Sequence, residues 1–228
     1  MSRRLDKIAS FVENGKGVAD VGTDHGYIPV MLCRRGYEGN IIATDINEGP
    51  LRNARIDLLE AGFEDRVQLV LCDGLDGCEP DAVDTIIVAG MGGDTITCIL
   101  DRAEWIFRED IRLILQPVTK AEILRYWLIN NELCITNEAL VRENGTVYQI
   151  ICARPGKSEA YSDAELFIGK RERIMREELF PEHLDTHIKR FKSAVSSLTK
   201  TRRTGLDAWL GMLKNILREL EEMKNDIS

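Results

Sequence analysis

Asp20, Asp24 and His25 fall within one ten-residue stretch, Val18–Tyr27 (VADVGTDHGY), with Gly22 and Gly26 between and beside them. Two carboxylates and an imidazole on a glycine turn make a polar cradle whose charge selects its ligand. The glycines let the backbone turn sharply and let a ligand lie against bare peptide. A dinucleotide would lay its pyrophosphate over such a turn and the helix N-terminus beyond it. There the phosphates would meet the like charges of Asp20 and Asp24. S-adenosylmethionine carries a sulfonium and an amino group but no phosphate, so the same carboxylates favour it. The loop is therefore expected to hold that cofactor, with Gly22 and Gly26 touching it through the main chain. A lone glycine turn without a ligand is the alternative.

Further acids follow at informative spacings. Asp45 lies twenty-five residues after Asp20, close to the distance at which an acid meets the ribose hydroxyls of a bound nucleoside. The alternative is an aspartate capping the next helix; position and partner motif together favour the ribose role. Asp73 is followed by Gly74 and Leu75; the carboxylate could accept from an adenine amino group and the leucine press on the ring. An ordinary Asp-Gly turn explains the same residues. Gly90-Met91-Gly92-Gly93 places three glycines in four positions after a very apolar run, which is costly unless something approaches the backbone closely. Asp84 stands at the other end of that run and is rejected as catalytic.

These residues need a scaffold that brings them to one edge. Val18–Val21, Asn40–Asp45, Val67–Leu71, Thr85–Ala89 and Ile111–Leu115 read as strands, the last ended by Gln116-Pro117. Helical stretches alternate with them: Arg4–Val12 before the first, packing beside it, then one from Tyr27 stopped at Gly36, one from Gly49 to Gly62, one from Asp94 and one over Lys120–Asn131. Leu133–Val141 and Thr146–Cys152 flank Glu143-Asn144-Gly145, an Asn-Gly hairpin turn. Five alternating units and a closing hairpin match an α/β, Rossmann-like class I methyltransferase sheet of seven strands with an antiparallel last hairpin. A dehydrogenase sheet usually continues with parallel strands.

At Arg154-Pro155-Gly156-Lys157 the composition changes, which divides the chain into residues 1–155, a cofactor-binding domain, and 156–228, a helical coiled-coil domain. Ser162 to Glu165 is a capping box opening a charged helix to about Leu179, and Pro181 interrupts. Leu184, Ile188, Phe191, Val195 and Leu198 make one heptad seam. Leu206, Trp209, Leu210, Leu213, Leu217 and Leu220 make a second, so two helices should close as an antiparallel hairpin.

Of 228 residues, 44% are hydrophobic and 30% charged, and the net charge is −8. Residues 1–155 hold 16 Lys+Arg against 25 Asp+Glu, and residues 156–228 hold 14 against 13. For a nucleic-acid partner the tail is thus the expected contact, through Lys189, Arg190, Lys192, Lys200, Arg202 and Arg203; the alternative is that these charges only solvate a helix pair. No apolar run approaches the length of a membrane helix, and the first residues lack a secretory segment. Six cysteines without a CxxC pair or zinc spacing suit reduced thiols in the cytoplasm, with no metal expected.

With DVGTDHGY, ATDINEGPL, CDGL, VAGMGG, LILQP and VRENGTVYQII together, nearly the whole chain resembles the bacterial tRNA (adenine-22-N1)-methyltransferases. The resemblance implies S-adenosylmethionine held by Asp20, Gly22, Asp24, His25 and Gly26, then Asp45 with Ile46, then Asp73, Gly74 and Leu75, with Gly90 and Met91 closing the site. It implies the target adenine entering along Gly90 to Gly93, Gly92 and Gly93 facing the substrate. Asp24 departs from the wider class pattern, which has a glycine there. The Asp/Asn-Pro-Pro-aromatic motif that holds an exocyclic amine is absent. Adenine N1 has an in-plane lone pair and needs no deprotonation before attack, so alignment can supply much of the catalysis. Asp24 and His25 are the candidates to stabilise the cationic product; a structural role at the helix start is their alternative. A methyltransferase of another substrate and a non-catalytic nucleoside-binding module remain as competing readings. A monomer is expected, with a dimer left open.

Overall fold

Parallel strands buried on both faces need near-continuous apolar runs, and the chain supplies five. In the computed structural model, which describes residues 2–200 and 206–227, these are β1 (Gly17–Val21), β2 (Asn40–Asp45), β3 (Val67–Leu71), β4 (Thr85–Gly92) and β5 (Arg112–Thr119). Val18, Ala19, Ile42, Ile86, Ile87, Val88 and Leu113 are all buried within them. β6 (Leu133–Glu143) and β7 (Thr146–Pro155) form the hairpin, and β7 runs antiparallel to β5. One seven-stranded sheet results, in the order β3-β2-β1-β4-β5-β7-β6. Asn144 and Gly145, at φ 50° and 78°, turn the hairpin through the left-handed region that such a tight connection requires.

The helices between strands are α1 (Arg3–Ala9), α2 (Tyr27–Arg34), α3 (Glu48–Ala61), α4 (Gly93–Asp101) and α5 (Ala121–Asn130). The strand order reverses between β1 and β4, and the carboxyl ends beside such a switch are where open α/β sheets bind ligands. Asp84, at the opposite end of β4, is buried and its carboxylate accepts from the Lys16 amide at 2.6 Å.

Several local expectations need correction. β4 does not stop at Ala89 but runs through Gly90 and Met91 to Gly92, with register shifts against β5. β5 likewise passes through Gln116-Pro117. Proline is tolerated because β7 pairs with β5 at Leu113–Leu115 alone and the register with β4 is irregular on either side of Met91–Pro117. α1 packs on α2 and β6, and its Ile8 and Ala9 share a buried core with Val18 of β1.

By compactness the chain divides into Met1–Glu159 and Ala160–Ser228. The second unit holds α6 (Asp163–Ile168), α7 (Arg171–Ile174), α8 (Phe180–Lys200) and α9 (Asp207–Asp226). The Ser162–Glu165 capping box forms, but its helix ends at Ile168, well short of Leu179. Gly169 stands at φ 103°, and the Glu165 carboxylate accepts the Arg171 amide at 3.0 Å, pinning the break. Pro181 does not interrupt a helix; it lies in the first turn of α8, where its missing N–H is harmless. The Lys192–Glu221 and Lys224–Asp185 ion pairs show α8 and α9 to be antiparallel. On α9 the buried line is Leu213, Ile216, Leu220 and Met223. Trp209 is half exposed, so the expected second seam was rotated.

Candidate active site

The loop from β1 to α2 is fastened to β2 by its backbone: the Gly22 and Thr23 amides both donate to the Thr44 carbonyl, at 2.8 and 2.9 Å. Asp20, just before the loop, is 5% exposed, and no cation pairs with it among the described residues. Burial pushes its carboxyl up to about 6, and a hydrogen bond with the Thr23 side chain offsets part of the shift. A desolvated carboxylate without a counter-ion fits a cationic or amine-bearing ligand. His25 is held at Nδ1 by Asp57, 2.9 Å away, and its Nε2 lies 3.8 Å from Asp24. The imidazole also stacks on Tyr27, with ring centroids 5.1 Å apart and planes 9° apart. Gly26, at φ 63°, begins α2.

The next two acids stand at neighbouring strand ends. The half-buried Asp45 closes β2, and its carboxylate accepts the Asn47 amide at 2.8 Å; Asn47, not Asp45, stands at the N-cap of α3. Ile46 beside it is exposed. Beyond β3, the Thr44 hydroxyl donates to the Gly74 carbonyl at 2.9 Å and fixes the Asp73–Leu75 turn. Asp73 is exposed, and the Arg102 guanidinium 2.7 Å away holds its carboxyl below the usual range. Leu75 is buried.

The third side is the end of β4. The Gly90 amide donates to Gln116 Oε1 at 3.2 Å, and the Met91 methyl lies over Gly22. Gly92 and Gly93 face a different neighbour. A Cβ on Gly93 would come within 2.1 Å of the Lys120 carbonyl oxygen, while one on Gly92 would meet the Asp94 and Thr119 side chains. The close approach that explains Gly93 is made by the chain's own backbone.

A cavity of about 800 Å³ opens at the carboxyl edge of β1 and β4. Asp20, Gly22, Asp24, His25 and Gly90 line it; Gly26, Asp45, Ile46, Asp73, Gly74, Leu75, Met91, Gly92 and Gly93 do not. Thr23, Ile28 and Ala89 also line it, and the rest of its wall comes from residues not expected at the site: Ser2 to Leu5, Tyr27, and the hairpin tip from Arg142 to Gly145. Arg4 ties this wall together. Its Nε lies 3.3 Å from Glu143, its terminal nitrogen donates to Gln116 Oε1, and the guanidinium sits over the Tyr148 ring. The Ser2 hydroxyl donates to Glu143 at 2.6 Å and, with Arg4, keeps that carboxyl below the usual range. The available signal was the Arg3-Arg4 pair opening the first helix, but nothing local links it to residue 143.

In the second unit Lys189, Arg190 and Lys200 are exposed, whereas Lys192 is engaged by Glu221 at 2.8 Å. Arg202 and Arg203 lie outside the described residues. Among the described residues there is no cluster of metal-ligating side chains and no helix long and apolar enough to cross a membrane.

Residues 1–151 match the methyltransferase domain family. The chain is 31% identical over 163 residues, 72% of its length, to the tRNA (adenine(22)-N(1))-methyltransferase of Bacillus subtilis, covering 68% of that protein. Its fold is similar to the solved B. subtilis tRNA methyltransferase TrmK, at a TM-score of 0.87 and 25% identity over 98% of each chain. A Streptococcus pneumoniae protein solved with S-adenosyl-L-methionine is 28% identical, with a TM-score of 0.84 over 98% of this chain and 99% of that one.

Proposed function

The chain belongs to the bacterial tRNA (adenine-22-N1)-methyltransferase family, and we infer on that premise that it transfers a methyl group from S-adenosylmethionine to N1 of adenine 22 in tRNA. The observation that carries the reading is the 31% identity to the B. subtilis enzyme, on a chain whose cavity opens at the ligand-binding edge of the sheet. The residues present fit the cofactor: Asp20 is a buried carboxylate with which no cation pairs among the described residues, and Gly22 lines the cavity beside it. When bound, S-adenosylmethionine supplies an electrophilic methyl group.

The protein's own part is to hold and align. We assign Asp20, Gly22, Asp24, His25 and Gly26 to the cofactor's amino-acid end, Asp45 and Ile46 to the ribose, and Asp73, Gly74 and Leu75 to the adenine. Gly90 and Met91 lie between cofactor and substrate, with Gly92 on the substrate side and Gly93, buried against the Lys120 carbonyl, fixing the turn behind it. N1 attacks without prior deprotonation, so proximity carries much of the rate. The positive charge that develops on the base is favoured by carboxylates at the cavity, with Asp24 and His25 nearest the loop. Residues 1–155 form the catalytic domain and 156–228 the helical, coiled-coil domain. That domain contacts the tRNA phosphates through Lys189, Arg190, Lys192, Lys200, Arg202 and Arg203. The protein acts in the cytoplasm as a monomer.

The test is mass spectrometry of nucleosides from unmodified tRNA incubated with protein and cofactor. 1-Methyladenosine is the expected product, and it should vanish when adenine 22 is replaced. Methylation of another nucleoside, or none, would overturn the reading.

A further inference from the structure

The edge of adenine that carries N1 is its pairing edge, so the nucleotide must leave any stack or pair before it can react. An extruded base loses its neighbours' π-faces, and proteins that hold such bases commonly replace them with an aromatic side chain. His25 and Tyr27 are the aromatic side chains that line the cavity. Their exposures differ in kind. His25 is held at Nδ1 by Asp57, has Asp24 beside Nε2, and is stacked on Tyr27. Tyr27 is 50% exposed although its ring is already steadied by the imidazole at 5.1 Å. A rigid, half-exposed ring in a cavity is a stacking surface ready for use.

We propose that the target adenine stacks on the Tyr27 ring, with the Asp57–His25 pair bracing that ring from the other side. The inference deepens the adenine-methylation reading and rests on it. Only the π-face is required, so the hydroxyl is dispensable.

The experiment compares wild-type protein with Tyr27→Ala and Tyr27→Phe on unmodified tRNA, reading kcat/KM for tRNA, S-adenosylmethionine affinity by calorimetry, and thermal melting. Tyr27→Ala should lower kcat/KM by about 10- to 100-fold, with melting and cofactor affinity near wild type. Tyr27→Phe should restore most of the activity. With 2-aminopurine in place of the target adenine, the bound wild-type complex should be quenched by the ring, and the Tyr27→Ala complex should be brighter. Wild-type protein that makes no 1-methyladenosine would sink the underlying reading and this inference together. Active wild type with equally active Tyr27→Ala would overturn the stacking surface alone. So would a Tyr27→Ala variant whose cofactor affinity falls in step with its activity, since the ring would then belong to the cofactor.

Discussion

The methyl group of Met91 rests against the bare backbone of Gly22, where an added Cβ would come within 2.1 Å of Cε. The contact joins the end of β4 to the loop after β1 across the reversal in strand order. Gly22 also stands at φ 77°, in the left-handed region that costs an L-residue about 1–2 kcal/mol. Gly22→Ala should therefore lower the melting temperature modestly, because the flexible Met91 side chain can swing aside. Its S-adenosylmethionine affinity, read by calorimetry, should fall by about tenfold or more. Affinity equal to wild type would remove Gly22 from the cofactor site.

Gly92 and Gly93 should respond in opposite ways. The Lys120 carbonyl that faces Gly93 is backbone and cannot give, so Gly93→Ala should destabilise the fold by about 3 kcal/mol or more. Around Gly92 the neighbours are the exposed Asp94 side chain and the Thr119 hydroxyl. Gly92→Val should melt near wild type while methyl transfer is lost. Denaturant titration and a methylation assay on both variants decide it; full activity in a folded Gly92→Val protein would move the base away from this loop.

Asp20 makes a pH prediction whose sign is fixed by its burial. Its carboxyl titrates at about 6 in the fold against 3.8 when unperturbed, so the folded state binds more protons between those values. Stability from this group is therefore greatest below pH 3.8 and falls by about 3 kcal/mol as pH rises to 6 and beyond. Asp20→Asn should raise stability at pH 7. A cationic ligand favours the charged carboxylate, so S-adenosylmethionine affinity should rise between pH 5 and 7, and Asp20→Asn should flatten that rise and weaken binding. Calorimetry across this range would show the same pH dependence in both proteins if Asp20 does not meet the cofactor.

Replacing Lys200, Arg202 and Arg203 together by Gln should weaken tRNA binding and reduce the slope of log affinity against log salt by about two to three. S-adenosylmethionine affinity should stay the same. Lys192 is a poorer target, because its ion pair with Glu221 would be broken as well. An unchanged slope with unchanged affinity would clear this cluster of phosphate contact.

Much of the architecture was legible because it is encoded locally. Alternating apolar runs and glycine stops marked the strands, the Asn144-Gly145 turn marked the hairpin, and Ser162 with Glu165 marked a helix start. The errors fall where a distant partner overrules the neighbourhood. Gly90 to Gly92 read as a loop, yet β4 continues through them, Met91 and Gly92 pairing with Pro117 and Thr119 of β5. The charged helix expected to reach Leu179 stops at Ile168 because the Glu165 carboxylate captures the Arg171 amide across Gly169.

The site divides along the same line. The charge and bare backbone of the VADVGTDHGY loop are properties of adjacent residues, so sequence alone determined the class of cofactor to expect there. The other wall is held by residues far apart in the chain: Arg4 meets Glu143 across 139 positions and Gln116 across 112; outside the cavity, Asp73 meets Arg102 across 29. Only tertiary structure could decide those pairings. Each depends on which strand ends the sheet order brings side by side, and no local spacing carries that information.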